Sequence, residues 1–220
     1  MFNQYPKTQT QPGASSTTQN APVKITRRGV PMTISGVLPP VGTPINLELL
    51  QNLARADWTL FDPRILEGKP YVLDILPSAD TPTCAKTIKA FENQFSQKDE
   101  GETKGEILVF SVSKDLPPAL NRFCTVEGIK HVVPLSAYLP ECEFGTQFGV
   151  SITDGSPETK AFKGLFARAV IAVSASGNVV YSELVAELAN EPNYEACGQA
   201  LVESMRKRKG FSLSAGNFTE

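Results

Sequence analysis

Histidine is almost missing from this chain: His131 is the only one in 220 residues, which excludes a multi-histidine metal centre. Its neighbours Val132 and Val133 read as a strand, so a structural or surface imidazole is expected there. Cysteine is scarce and scattered. Cys84, Cys124, Cys142 and Cys197 include no close pair of the kind that opens most structural zinc sites, and no Cys-x-x-Cys of a disulfide reductase. Four cysteines in a chain of this length, behind an N-terminus (Met1 to Gln11) without the apolar stretch of a secretory signal, also fall short of a secreted disulfide scaffold. The thiols are left either as buried packing groups or as redox chemistry. No apolar run approaches the roughly 18 to 20 residues that span a bilayer, so a soluble, cytoplasmic protein without a membrane partner is expected. A basic excess is missing too: 21 Lys and Arg stand against 23 Asp and Glu, for a formal net charge of -2, which gives no reason to expect a nucleic-acid partner. No metal and no cofactor are expected.

What is present is enough apolar residue, 41% of the chain, for one well-buried core with extensions. Residues 1–22 are rich in Gln, Thr, Ser and Pro, and no acidic residue precedes Glu48, so this arm is expected to be disordered. The domain then extends over 23–209, with a flexible tail at 210–220. Val23 and Ile25, then Val30, Met32 and Ile34, alternate with polar residues around Arg28-Gly29, which predicts a β-hairpin whose edge must be covered or paired. Apolar β-rich runs alternate with helical patterns thereafter: Tyr71 to Leu76, a helix over Pro82 to Phe95, Ile107 to Ser113, a short helix over Pro117 to Thr125, and a strand over Val132 to Leu135. This is the signature of an α/β domain with crossover connections. A helical stretch near Lys160 to Phe166 follows, then a hairpin of Ala167 to Val173 and Val179 to Leu184 turning at Gly177-Asn178. A last helix runs from about Asn193 to Lys209; its basic end suits the helix dipole, and Gly210 is expected to stop it.

The chemistry converges on Cys84. The strand ending at Pro77 leads through Ser78, Asp80 and Thr81 into a helix in which Thr81 suits the N-cap and Pro82 the first position. Cys84 then lies in the first turn, where unpaired N–H groups and the positive end of the dipole favour thiolate over thiol. A second reading stays open, that Cys84, four residues before Ile88, is a small member of the apolar stripe. Ionisation alone is worth only about 30-fold in rate, roughly 2 kcal/mol, so a fast thiolate nucleophile would also need a hydroxyl and a fixed cation to orient its target and stabilise the departing charge. Thr81 supplies the first. Arg168, at the start of an apolar strand, is the candidate for the second, against the alternative of an arginine at a solvent-facing strand end.

Taken together, Pro77-Ser-Ala-Asp-Thr-Pro-Thr-Cys84, Asp115-Leu-Pro with Arg122-Phe-Cys124, Gly164-Leu-Phe-Ala-Arg168-Ala-Val170 and Asn190-Glu-Pro-Asn-Tyr194 closely resemble bacterial thiol peroxidases, the atypical two-cysteine branch of the peroxiredoxins. The resemblance covers about Val23 to Ser204 in the right order. It implies a thioredoxin-like fold of the peroxiredoxin type with an N-terminal β-hairpin, and a homodimer. It also implies that Cys84 is the peroxidatic cysteine, with Thr81 and Pro77 as companions, Arg168 as the arginine that orients thiolate and peroxide, and Cys124 as the resolving cysteine. The activity so implied is reduction of hydrogen peroxide and organic hydroperoxides through a Cys84 sulfenic acid and an intramolecular Cys84–Cys124 disulfide, recycled by thioredoxin. A peroxide-sensing switch that signals to a partner is the alternative. Cys142 and Cys197 stand outside the pattern, the first as an alternative resolving thiol and the second as packing. Lys98 to Gly105 is an extra charged loop.

Overall fold

The computed structural model describes residues 23–96 and 107–215; the polar arm, the Lys98 to Gly105 loop and the last five residues lie outside the described residues. In chain order the elements are β1 (Lys24–Arg27), β2 (Val30–Ile34), β3 (Ala54–Arg55), β4 (Tyr71–Ile75), α1 (Pro82–Ser96), β5 (Leu108–Ser113), α2 (Pro117–Glu127), β6 (Val133–Ser136), α3 (Phe144–Gln147), β7 (Ile152–Gly155), β8 (Ala169–Val173), β9 (Val179–Leu184) and α4 (Tyr194–Ala215). Six strands form the main sheet in the order β3-β6-β5-β4-β8-β9. β4, β5 and β6 are parallel neighbours, joined through α1 and α2, whereas β8 and β9 run antiparallel.

Side-chain alternation along the central strands splits the core in two. Tyr71, Leu73 and Ile75 of β4 point with Phe110, Val112 and Ile171 to one side, against Phe144 and Phe148 of the α3 region. Val72, Val109, Val170 and Ala172 point to the other, where Cys84, Ile88 and Phe91 of α1, Phe123 of α2 and Cys197 and Leu201 of α4 cover them. All five residues of β4 are buried, as a strand covered on both faces requires.

The N-terminal hairpin forms as expected, turning at Arg28 and Gly29 with φ of 51° and 77°, the two positive angles that a type I′ turn demands. Its open edge is paired by β7, antiparallel to β2. Glu187 fastens the turn to the main body by accepting from the N–H groups of Arg28 and Gly29 at 2.8 and 3.1 Å.

Four local expectations need correction. The second hairpin turns at Ser174–Gly177, closed by the Gly177 N–H to Ser174 carbonyl bond at 2.9 Å, one step before Gly177-Asn178. The helical stretch near Lys160 is one 3-10 turn, Lys160–Phe162, because Gly164 takes a φ of 89° that no helix continues. Helix α4 passes through Gly210 to Ala215; a lone glycine costs a helix only about 1 kcal/mol relative to alanine. His131 lies before β6, and its backbone N–H donates to the Glu92 carboxylate of α1 at 2.8 Å.

Candidate active site

The candidate site begins where β4 ends. Beyond the buried Pro77, the Ser78 hydroxyl and the Ala79 N–H both donate to the Asp115 carboxylate, at 2.8 and 2.7 Å. The Ser113 hydroxyl donates to the same carboxylate at 2.8 Å. Asp115 thereby ties the loop after β4 to the end of β5 and fixes the approach into α1. The α1 ladder opens with the Ala85 N–H donating to the Thr81 carbonyl at 2.8 Å, so the N–H groups of Thr83 and Cys84 lie ahead of it, at the positive end of the helix. Thr81 holds the N-cap position by its carbonyl, but its hydroxyl donates to the Ser78 carbonyl at 3.3 Å. The side-chain cap expected from the sequence is replaced by a contact that closes the Ser78 to Thr81 turn.

Cys84 is completely buried in the core cluster beneath α1, and its sulfur is also a hydrogen-bond acceptor. The Arg168 Nη2 donates to Cys84 Sγ at 3.4 Å. Of the two placements open to Arg168, the inward one is realised: only 1% of the residue is exposed. Strand parity explains it, since Arg168 precedes β8 and shares the side of Val170 and Ala172, the α1 side of the sheet. Two further acceptors hold the guanidinium: the Leu188 carbonyl, at 3.4 Å from Nε and 3.3 Å from Nη2, and the Thr87 hydroxyl, at 3.3 Å from Nη1. Thr87 in turn donates to the Thr83 carbonyl at 3.0 Å and receives the Tyr194 hydroxyl at 3.4 Å. A planar fork held at three sides keeps one N–H aimed at the sulfur.

Cys124 sits in α2, half-buried at the border of the same cluster. Burial, with Glu92 adding to it, pushes its thiol up to about 11. The short helix that carries it starts on Pro117 and Pro118 and ends at Gly128, whose φ of 69° is the left-handed cap glycine tolerates. One exposed ion pair, Arg122 to Asp80 at 2.8 Å, links α2 to the loop that precedes Cys84. Cys142 lies in the cluster on the opposite side of the sheet, and Cys197 is sealed beneath α4, its thiol pushed up to about 12 by burial, then by Asp74 and Glu183. All four thiols are free.

Thus Cys84 and Arg168 meet, Pro77 and Thr81 shape the loop between them and β4, and Cys124 stands on a separate helix. Two participants in the Arg168 contacts, Thr87 and the Leu188 carbonyl, were not singled out from the sequence, nor was the buried Asp74 on the same side of the sheet. A carbonyl leaves no mark in a sequence. Asp74 does leave one, as the single charge inside an apolar strand, a position that calls for a reason.

The redoxin family model matches residues 38–197. A thiol peroxidase of Mycobacterium tuberculosis is 41% identical over 178 residues, covering 81% of this chain and 98% of the relative. One from Corynebacterium glutamicum is 41% identical over 167 residues, 76% of this chain and 92% of the relative. Among solved structures, a peroxiredoxin-like protein from Aquifex aeolicus superposes with a TM-score of 0.67 at 28% identity, over 82% of this chain and 96% of that one.

Proposed function

The chain belongs to the redoxin family and to its thiol peroxidases, peroxide-reducing enzymes with a thioredoxin-like fold, and on that basis we propose that Cys84 is the attacking sulfur, Arg168 its orienting cation and Cys124 the resolving thiol. The observation that carries this reading is the 3.4 Å contact from Arg168 Nη2 to Cys84 Sγ at the N-terminal turn of α1. A thiolate there is stabilised by the guanidinium and by free N–H groups. The same donors face the place where negative charge develops as the O–O bond breaks. Thr81 lies one turn ahead, its hydroxyl free to rotate from the Ser78 carbonyl towards a bound peroxide, and Pro77 holds that loop in place.

In the proposed cycle the Cys84 thiolate attacks the outer peroxide oxygen. The S–O bond forms, the O–O bond breaks, and the departing alkoxide or hydroxide takes up a proton. Cys124 then gives up its proton and its sulfur attacks the sulfenic sulfur, the displaced hydroxide takes that proton and leaves as water, and a Cys84–Cys124 disulfide results. A dithiol protein, thioredoxin in this reading, returns both thiols, and the enzyme acts as a homodimer in the cytoplasm, where such dithiols are maintained. Among the described residues no helix is long and apolar enough to cross a membrane.

The test is direct. Fully reduced protein receives one equivalent of an organic hydroperoxide, free thiols are alkylated, and each cysteine is mapped by peptide mass spectrometry. A Cys84–Cys124 disulfide that Cys84→Ser abolishes is the expected result. Pairing of Cys84 with Cys142, or a Cys84 that stays reduced, overturns the assignment. Sustained peroxide consumption with thioredoxin then separates a turning-over enzyme from a peroxide sensor, which would stop after one oxidation.

A further inference from the structure

Strand β4 carries one charged residue, Asp74, between Leu73 and Ile75. Leu73 and Ile75 belong to the core on the α3 side, so alternation turns Asp74 to the opposite side, that of Cys84 and Cys197. It is fully buried, and neither carboxylate oxygen has a hydrogen-bond partner among the described residues. A carboxylate in that position is stable only if it is neutral or if a cation faces it.

The groups around it are few. Arg168, at the foot of β8, is the cation that acts on Asp74. From α4, Tyr194 and Cys197 both feel its charge; β9 contributes Glu183, which accepts from the Tyr181 hydroxyl at 2.6 Å. From α1 come Cys84 and the uncharged Thr87, and from β5 the uncharged Ser111, paired across the sheet with Asp74. Arg168 for its part is bonded to two neutral acceptors and to the Cys84 sulfur. One buried cation therefore faces two buried acids on the same side of the sheet, the Cys84 thiol in direct contact and the Asp74 carboxyl through space, without a hydrogen bond between them, and needs only one of them ionised at a time.

We propose that Asp74 is the alternate counter-ion of Arg168, protonated while Cys84 is a thiolate and ionised once the sulfur has been consumed. The idea rests on Cys84 being the attacking sulfur. On attack the thiolate becomes a sulfenic acid and its negative charge departs with the alkoxide or hydroxide, which takes up one proton. Asp74 releases one proton as the thiolate disappears, so the proton count closes and the buried Arg168 stays balanced. When a dithiol later reduces the disulfide, Cys84 leaves as thiolate and Asp74 takes a proton back. Burial pushes the Asp74 carboxyl up to about 7, with Arg168 holding it down, so either state is within reach near neutral pH.

Infrared difference spectroscopy on the full chain tests this, comparing reduced protein with protein oxidised by one equivalent of hydroperoxide, with Cys84 mapped by mass spectrometry in the same samples. The C=O stretch of a protonated carboxyl should be present in the reduced form, vanish on oxidation, and be absent from Asp74→Asn in both states. The reaction rate with hydroperoxide should fall on the order of tenfold in the wild type as pH rises through 7, one pKa unit of coupling, and this fall should be missing in Asp74→Asn. If Cys84 is oxidised and the carboxyl band does not change, the counter-ion role is wrong while the peroxidatic role of Cys84 stands. If Cys84 is not oxidised, the reading beneath it fails. The wild-type spectra alone decide the matter should Asp74→Asn not fold.

Discussion

Arg168 donates from Nη2 to Cys84 Sγ at 3.4 Å across 84 positions of sequence, and the same guanidinium is anchored by Leu188 and Thr87. A lysine ammonium lacks the planar fork that serves three acceptors at once. Arg168→Lys is expected to slow single-turnover oxidation of Cys84 by about 10²- to 10³-fold, the loss typical for one preorganised donor at a developing charge. Stopped-flow kinetics with hydroperoxide measure it; an unchanged rate would remove Arg168 from the chemistry.

Asp115 accepts from the Ser78 hydroxyl, the Ala79 N–H and the Ser113 hydroxyl. Asp115→Ala orphans these donors, and a loss of about 2 to 3 kcal/mol in urea unfolding is expected, together with slower Cys84 oxidation from a loosened entry to α1. Asp115→Asn keeps one acceptor oxygen and should cost less than the alanine. Equal losses for the two variants would show that the hydrogen bonds are not what matters.

Cys124, the proposed resolving thiol, is held in its neutral form. Burial and Glu92 push Cys124 up to about 11, so in the reduced protein the thiolate fraction at neutral pH is on the order of 10⁻⁴. Alkylation of Cys124 should therefore be slow at pH 7 and rise about tenfold per pH unit as pH climbs towards that value. Bonded cysteines have Cα atoms within about 7 Å, and with Cys84 and Cys124 carried on two different helices, local unwinding is expected to accompany disulfide formation. Hydrogen exchange is expected to be faster over Pro117–Glu127 and the first turn of α1 in the disulfide form than in the reduced form.

Cys142 and Cys84 belong to clusters on opposite sides of the main sheet. Cys142→Ala should leave both the Cys84–Cys124 disulfide and peroxide turnover intact, with no more than about 1 kcal/mol lost from core packing. Loss of the disulfide in this variant, read by non-reducing peptide mapping, would reopen the choice of resolving thiol.

Asp74 makes stability pH-dependent in a definite direction. Its carboxyl rises from 3.8 to about 7 on folding, through burial opposed by Arg168, so between those values the native state binds more protons than the unfolded chain. Stability should fall as pH rises through that window and level off above it, by at most about 4 kcal/mol. Urea unfolding of the reduced protein across that range should show the slope, and Asp74→Asn should flatten it.

Much of the local grammar was written in the chain. Pro82 after Thr81, the stripe of Ile88, Phe91 and Phe95, and the Arg28-Gly29 turn all specify structure through neighbours a few residues apart, and α1, α2, β4, β8 and β9 form close to where those patterns put them. The resemblance of motifs spread from Pro77 to Tyr194 also pointed to the family. What the chain alone left open depended on register between distant strands. Whether Arg168 turned inward or outward was decided by its parity with Val170 on β8 and by β8 lying beside β4. Cys142 was separated from Cys84 by a sheet whose strand order no local pattern reveals, and β7 came to cover the edge of β2 from more than a hundred residues away. The Thr81 hydroxyl went to a loop carbonyl because Asp115, reaching over from the end of β5, folds that turn. A backbone oxygen at Leu188 and an unpartnered carboxyl at Asp74 acquire meaning only when burial removes water, for it is then that each charge must find its partner among the few groups the fold has placed nearby.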